Sequence, residues 1–216
     1  MDALARIDAA IERRHLLTHP FYTKWVSGTL PIEGIREYTR QYFAFESAFP
    51  TFLSRIHSRT ELPDVRQSLL ENLWDEEHGE ANHSELWLRF AEGMGVPRDE
   101  VREAGPTAST EALVETYRRT AAEAPVAAGV AAIHAYEHQV PAVAGAKIEG
   151  LRSHYGVDDE RTLTFWEVHR TLDVQHADAE RRILGDLAEE DPGTTVDATE
   201  RALDAWWGFL DGVDRE

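Results

Sequence analysis

Phe165-Trp166-Glu167-Val168-His169-Arg170-Thr171-Leu172-Asp173-Val174-Gln175-His176 decides how the rest of the chain is read. With about 100° of rotation per residue, steps of four and three residues set His169, Asp173 and His176 on one stripe of a helix. A solvated polar face carries such residues too. A second stripe with the same seven-residue span, Glu76 to His83, and a lone Glu137 inside an apolar run favour a buried metal site. Six nitrogen and oxygen donors on three helices suit a pair of irons better than one zinc.

Outward from that stretch the chain reads as helix throughout, with neither a convincing strand nor a repeat. Leu4, Ile7, Ile11 and Leu16 mark an amphipathic helix over 2–18, and Pro20 starts a short one closed by Ser27-Gly28-Thr29. Pro31 opens a long helix to about residue 60, kinked at Pro50. Pro63-Asp64 begins the helix of Glu76 and His83, read as continuous to Gly93-Met94-Gly95. A loop leads to a helix over 111–122, capped by Ser109 or Thr110, and an alanine-rich helix over 125–155 is expected to kink at Pro141. Asp158 or Asp159 caps the helix of the opening stretch, and an amphipathic helix over 196–210 ends the bundle. The expectation is one all-α domain over 1–216, a bundle of about seven helices.

The acids around residue 76 admit two ligand sets. Glu80-x-x-His83 with Asp173-x-x-His176, and Glu46 and Glu137 as lone acids, follows the pattern of ferritin-like di-iron bundles. Glu76, His83, Glu137, His169, Asp173 and His176 use both seven-residue stripes completely. In this second form the chain resembles the heme-oxygenase-like di-iron oxidases, whose ligand pattern is Glu-x6-His, a lone Glu, then His-x3-Asp-x2-His. All of these positions match, across most of the chain. The resemblance implies a heme-oxygenase-like bundle, often a homodimer, holding two irons or a mixed iron–manganese pair.

Within that superfamily His19-Pro20-Phe21-Tyr22, Tyr136-Glu137 and Lys147 are similar to the CADD group, which makes p-aminobenzoate for folate. The resemblance implies that dioxygen and an external reductant drive excision of the protein's own Tyr22 side chain, with Lys147 as amino donor, in a single turnover. Tyr38, Tyr42 and Tyr136 are candidate relays. The group has a further tyrosine where this chain has Phe165. The competing readings are a di-iron oxygenase acting on an external small molecule, heme held by His15 or His19, and a non-enzymatic helical interaction module. TenA-like thiaminases use a cysteine nucleophile, which this chain lacks, and PqqC-type oxidases leave the six donors unexplained.

The formal charge of −18, from 40 acidic against 22 basic residues, repels nucleic acid and anionic membrane. With no apolar leader and no run near the ~20 residues of a membrane helix, the chain is expected in the cytoplasm, acting on small molecules and dioxygen. Only Lys24 and Lys147 are lysines, every other basic residue being arginine, and this bias with dense Asp and Glu fits a high-salt interior. If so, raising monovalent salt to molar levels screens carboxylate repulsion, and the melting temperature followed by circular dichroism rises; a flat or falling one counts against adaptation to salt.

Overall fold

The computed structural model describes residues 2–215, which form helices joined by short turns. The helices are α1 (Ala3–Arg13), α2 (Pro20–Val26), α3 (Ile32–His57), α4 (Pro63–Glu77), α5 (His83–Gly93), α6 (Arg98–Glu103), α7 (Ala108–Glu123), α8 (Val126–Glu137), α9 (Val140–His154), α10 (Glu160–Leu187) and α11 (Pro192–Val213). The class is all-α as expected. The count exceeds about seven because two segments read as single helices are each broken, and because α6 forms inside a stretch read as loop.

Both breaks have local causes. Between α4 and α5 the backbone turns at Gly79, whose φ of 82° lies in the left-handed region that side chains disfavour. Asn82 then restarts the helix, its side chain accepting from the Glu85 N–H at 2.9 Å. Between α8 and α9 the chain breaks at His138 and Gln139, ahead of Pro141. Pro141 thus sits in the first turn of α9, where its missing N–H costs nothing, and no kinked helix is needed. At the other boundaries Thr107 caps α7, and Asp159 caps α10 through the Thr162 N–H at 2.9 Å.

α8 is the centre of the bundle, buried at every residue from Ala127 to Glu137. Its alanines and Gly129 let α7, α10 and α11 approach closely, and a Cβ at Gly129 would press on Ile56. α10 lies along α5, α8 and α9, while α3 packs on α4 and α7. The metal-stripe helix therefore faces Glu137 at the end of α8 on one side and His83 at the start of α5 on another. An aromatic core of Tyr38, Tyr42, Phe45, Trp87, Trp166 and Trp206 fills the space beside them. Among the described residues no helix is long and apolar enough to cross a membrane.

α9 touches α2 through Gly150, where a Cβ would lie 2.9 Å from the Trp25 ring and 3.1 Å from its carbonyl oxygen. Trp25 is fully buried and cannot yield freely. Gly150→Ala is therefore expected to destabilise by about 1–3 kcal/mol through overpacking, lowering the melting temperature by several degrees; an unchanged melt would show this contact to be loose.

Candidate metal centre

The end of α4, the start of α5, the end of α8 and the middle of α10 converge on one buried cluster. Glu76 Oε1 lies 3.0 Å from His83 Nδ1 although the two are on different helices, so their proximity comes from the Gly79 turn and not from helical phase. His176 Nδ1 lies 3.7 Å from Glu137 Oε1 and 3.8 Å from Asp173 Oδ1. The His83 and His169 rings are 4.3 Å apart between centroids. Two groups result, each with ligand atoms mutually within 4.8 Å: Glu137, Asp173 and His176 in one, and His83 and His169 with Glu46 from α3 in the other. Glu80, the acid of the ferritin-like pattern, is exposed on the turn before α5.

The neighbours orient these side chains. His169 Nδ1 donates to the Phe165 carbonyl at 2.7 Å, which leaves Nε2 as its ligand atom. His176 does the reverse: Nε2 faces Asp75 Oδ2 at 3.1 Å, while Nδ1 is buried without a partner and faces Glu137 and Asp173. Asn72 donates to both Glu137 oxygens at 3.0 Å. Glu180 accompanies Glu137 and faces His134 Nδ1 at 3.3 Å. Asn72, Asp75 and Glu180 were not singled out from the sequence, yet each stands three or four residues from a ligand on the same helix or directly beside one.

The electrostatics match a cation site. Burial, reinforced by Glu180, pushes the Glu137 carboxyl well above its usual range, and burial with Glu137 and Glu76 does the same for Asp173. Glu180 rises to about 8 by burial. Burial opposes charging of His83, but Glu76 beside it outweighs this and lifts it to about 9, while burial and His83 hold His169 well below the usual imidazole value. Glu46 Oε1 and His176 Nδ1 are buried without hydrogen-bond partners, and His83 Nδ1 has only the Glu76 carboxylate beside it. Carboxylate and imidazole donors converging from five helices, some of them left without a hydrogen-bond partner, fit metal ions. A cleft of about 180 Å³ between α4 and α10, lined by Asn72, Asp75, His176 and Glu180, reaches the cluster from outside.

Next to the metal cluster lies a box of aromatic side chains around Lys147. Its Nζ donates to the Tyr38 hydroxyl at 2.7 Å and stands 4.6 Å from the Tyr22 ring centre and 4.0 Å from that of Trp166. Lys147 is 2% exposed, so it is no surface cation, and burial holds its pKa well below the usual value. Tyr22 and Tyr38 hydroxyls are 3.3 Å apart, Tyr38 stacks on Tyr42 with centroids 5.4 Å apart, and the Tyr42 hydroxyl meets that of Tyr136 beside Glu137. Phe165 packs on His169 with ring centres 4.1 Å apart. His15 and His19 each use Nδ1 to accept a backbone N–H, from Leu17 and Phe21, and hold the turn into α2.

This arrangement assigns different outcomes to the two acids near His83. Replacing His83, His169 or His176 by Ala is expected to lower iron bound per chain after anaerobic loading, since each removes a nitrogen from a constrained set. Glu76→Ala lowers it as well, whereas Glu80→Ala leaves it unchanged. Greater loss at Glu80 would restore the ferritin-like assignment.

Residues 36–207 match a family described as iron-containing redox enzymes. The 4-aminobenzoate synthase of Nitrosomonas europaea is 42% identical over 221 residues, spanning 96% of this chain and 89% of the relative. That of Chlamydia muridarum is 37% identical over 211 residues, spanning 98% of this chain and 89% of its own length. A domain with a heme oxygenase-like fold from Shewanella denitrificans superposes with a TM-score of 0.80 at 17% identity, over 97% of this chain and 89% of that one, a likeness of fold. Together with the buried carboxylate and histidine cluster, these matches place the chain in the iron-containing redox enzyme family.

Proposed function

We propose that this protein makes p-aminobenzoate for folate synthesis from its own Tyr22, with Lys147 as the nitrogen source. The observation that carries the reading is the buried Lys147 Nζ held 4.6 Å from the Tyr22 ring centre, with no carboxylate in an ion pair with it among the described residues. A lysine desolvated in this way loses its proton and presents a free amine. Relatives named 4-aminobenzoate synthase at 42% and 37% identity support the product.

Glu76, His83, Glu137, His169, Asp173 and His176 would hold two irons, or an iron and a manganese. Such a pair supplies the oxidising power of dioxygen once an external reductant has provided electrons. The chain's own part is positional. The Tyr38 hydroxyl accepts from Lys147 and so aims the amine at Tyr22, and Trp25 and Trp166 exclude water around it. Burial pushes the Tyr22 phenol up, so it enters the reaction protonated. The Tyr136, Tyr42 and Tyr38 rings form a contiguous set of oxidisable phenols between Glu137 and Tyr22. In the product the ring and carboxyl carbon come from Tyr22, with its Cα–Cβ bond broken and Cβ oxidised at the expense of dioxygen, and the Lys147 nitrogen, released by cleavage of its Cε–Nζ bond, replaces the phenol oxygen, which leaves as water.

The cleft at His176 favours a second reading, an oxygenase acting repeatedly on an external small molecule. Intact mass after dioxygen and reductant, without added substrate, separates the two: side-chain loss occurs only in the first. Lys147→Arg is expected to keep metal and abolish p-aminobenzoate, because arginine stays protonated. Tyr22→Phe does likewise, and ring-labelled tyrosine in the wild type appears as labelled product. Wild-type yield from either variant removes that residue as the source. A fully metallated wild type that makes none, yet oxidises an added compound over many cycles, establishes the external-substrate oxygenase.

A further inference from the structure

Glu46 stands apart from the six residues with ligand spacing, on α3, which carries none of them. It lies on the apolar face of that helix, four residues after Tyr42 and three before Phe49, and is 3% exposed. A carboxylate on such a face is costly to bury unless something compensates it. Among the described residues no arginine or lysine pairs with it, and its Oε1 has no hydrogen-bond partner. Tyr42, one turn earlier on the same helix, is the hydroxyl side chain that bears on this carboxyl group. One of its oxygens lies within 4.8 Å of a ring nitrogen of His83 and of His169, as close a grouping as Glu137, Asp173 and His176 make.

We propose that Glu46 is a seventh ligand of the metal pair, binding the ion held by His83 and His169. The inference rests on the iron-site reading and adds α3 to the elements that build it. It gives the His83 and His169 position a second carboxylate from outside α10, Glu46 from α3 beside Glu76 from α4. It also brings the tyrosine set beside the metal, because Tyr42 stands one turn before Glu46 on α3. Tyr42 contacts the Tyr136 hydroxyl and stacks on Tyr38, which accepts from Lys147, so these rings run from beside Glu46 to the Lys147 box. The ordinary alternative is a protonated acid serving only as a partner for Tyr42, and the two differ in whether the metal responds to its loss.

The test uses the full chain loaded anaerobically with isotopically enriched ferrous iron, comparing wild type, Glu46→Gln and His169→Ala by chelator competition and Mössbauer spectroscopy. Gln keeps the shape and the Tyr42 contact but is a much weaker ligand. Glu46→Gln is expected to weaken one of the two irons by roughly 10–100-fold and to move one quadrupole doublet while leaving the other in place. Unchanged affinity and an unchanged spectrum, with metal lost in His169→Ala, overturns the proposal for Glu46 alone. Unchanged metal content in His169→Ala as well overturns the iron-site reading beneath it. Should Glu46→Gln fail to fold, Glu46→Asp is read the same way: the shorter carboxylate shifts the same doublet if Glu46 is a ligand and shifts nothing if it is not.

Discussion

Five carboxylates, Glu46, Glu76, Glu137, Asp173 and Glu180, are buried in the interior of this bundle, each beside at least one other, with His83, His169 and His176 among them. Removing one such charge from water costs several kcal/mol unless it is paired, and like charges held together raise the cost further. The protein spends its cations elsewhere: the arginines form surface pairs such as Arg40 with Glu100 and Arg89 with Glu85. Divalent ions would resolve the conflict, because each offsets two carboxylates and accepts a neutral imidazole. On that reading the packing of α3, α4, α5, α8 and α10 around the cluster draws on a partner that the amino acids themselves do not supply.

A second buried charge problem sits beside the first and is solved differently. Lys147 has the rings of Tyr22, Trp25, Tyr38 and Trp166 around its nitrogen, which offer only weak cation–π attraction. A neutral amine needs no more than the single hydrogen bond to Tyr38 that it has. In a chain that otherwise chooses arginine for the surface, Lys24 pairs with Asp214 while Lys147 is sealed inside. Arginine would stay charged there at much greater cost, so the residue type follows from the environment.

The all-α class and the stripe on α10 were legible because α10 is one unbroken helix of 28 residues, over which helical phase holds. The seven-residue span from Glu76 to His83 suggested the right neighbours through the wrong geometry. Residues 77–82 are polar and compatible with a helix, so periodicity carried no sign of a break, and Gly79 followed by Asn82 was the signal that a turn and a new cap intervene. The same error over 125–155 put Lys147 on the helix of Glu137; the break at Gln139 starts α9 separately and frees Lys147 from that helical phase. From the sequence Glu46 stands only as a lone acid of the ferritin-like pattern, and what marks it in the fold is its place between Tyr42 and Phe49 on an aromatic face. Burial of that kind depends on which helices meet, and a single sequence states it only through the polarity of the neighbours at three and four residues.

Phe165 bears on the reaction through what it leaves intact. It stands against His169 and Trp87 and meets the edge of Tyr42 at 6.2 Å between ring centres, so a hydroxyl at this position would be close to the metal cluster. Its loss removes one phenol from the neighbourhood of His169 but does not interrupt the ring contacts between Glu137 and Lys147. Tyr136 and Tyr42 still share a hydrogen bond, Tyr42 still stacks on Tyr38, and Tyr38 still meets both Tyr22 and Lys147. The phenols of this chain therefore form an unbroken set from beside Glu137 to the amine, and Phe165 packs its ring directly on His169 next to that set.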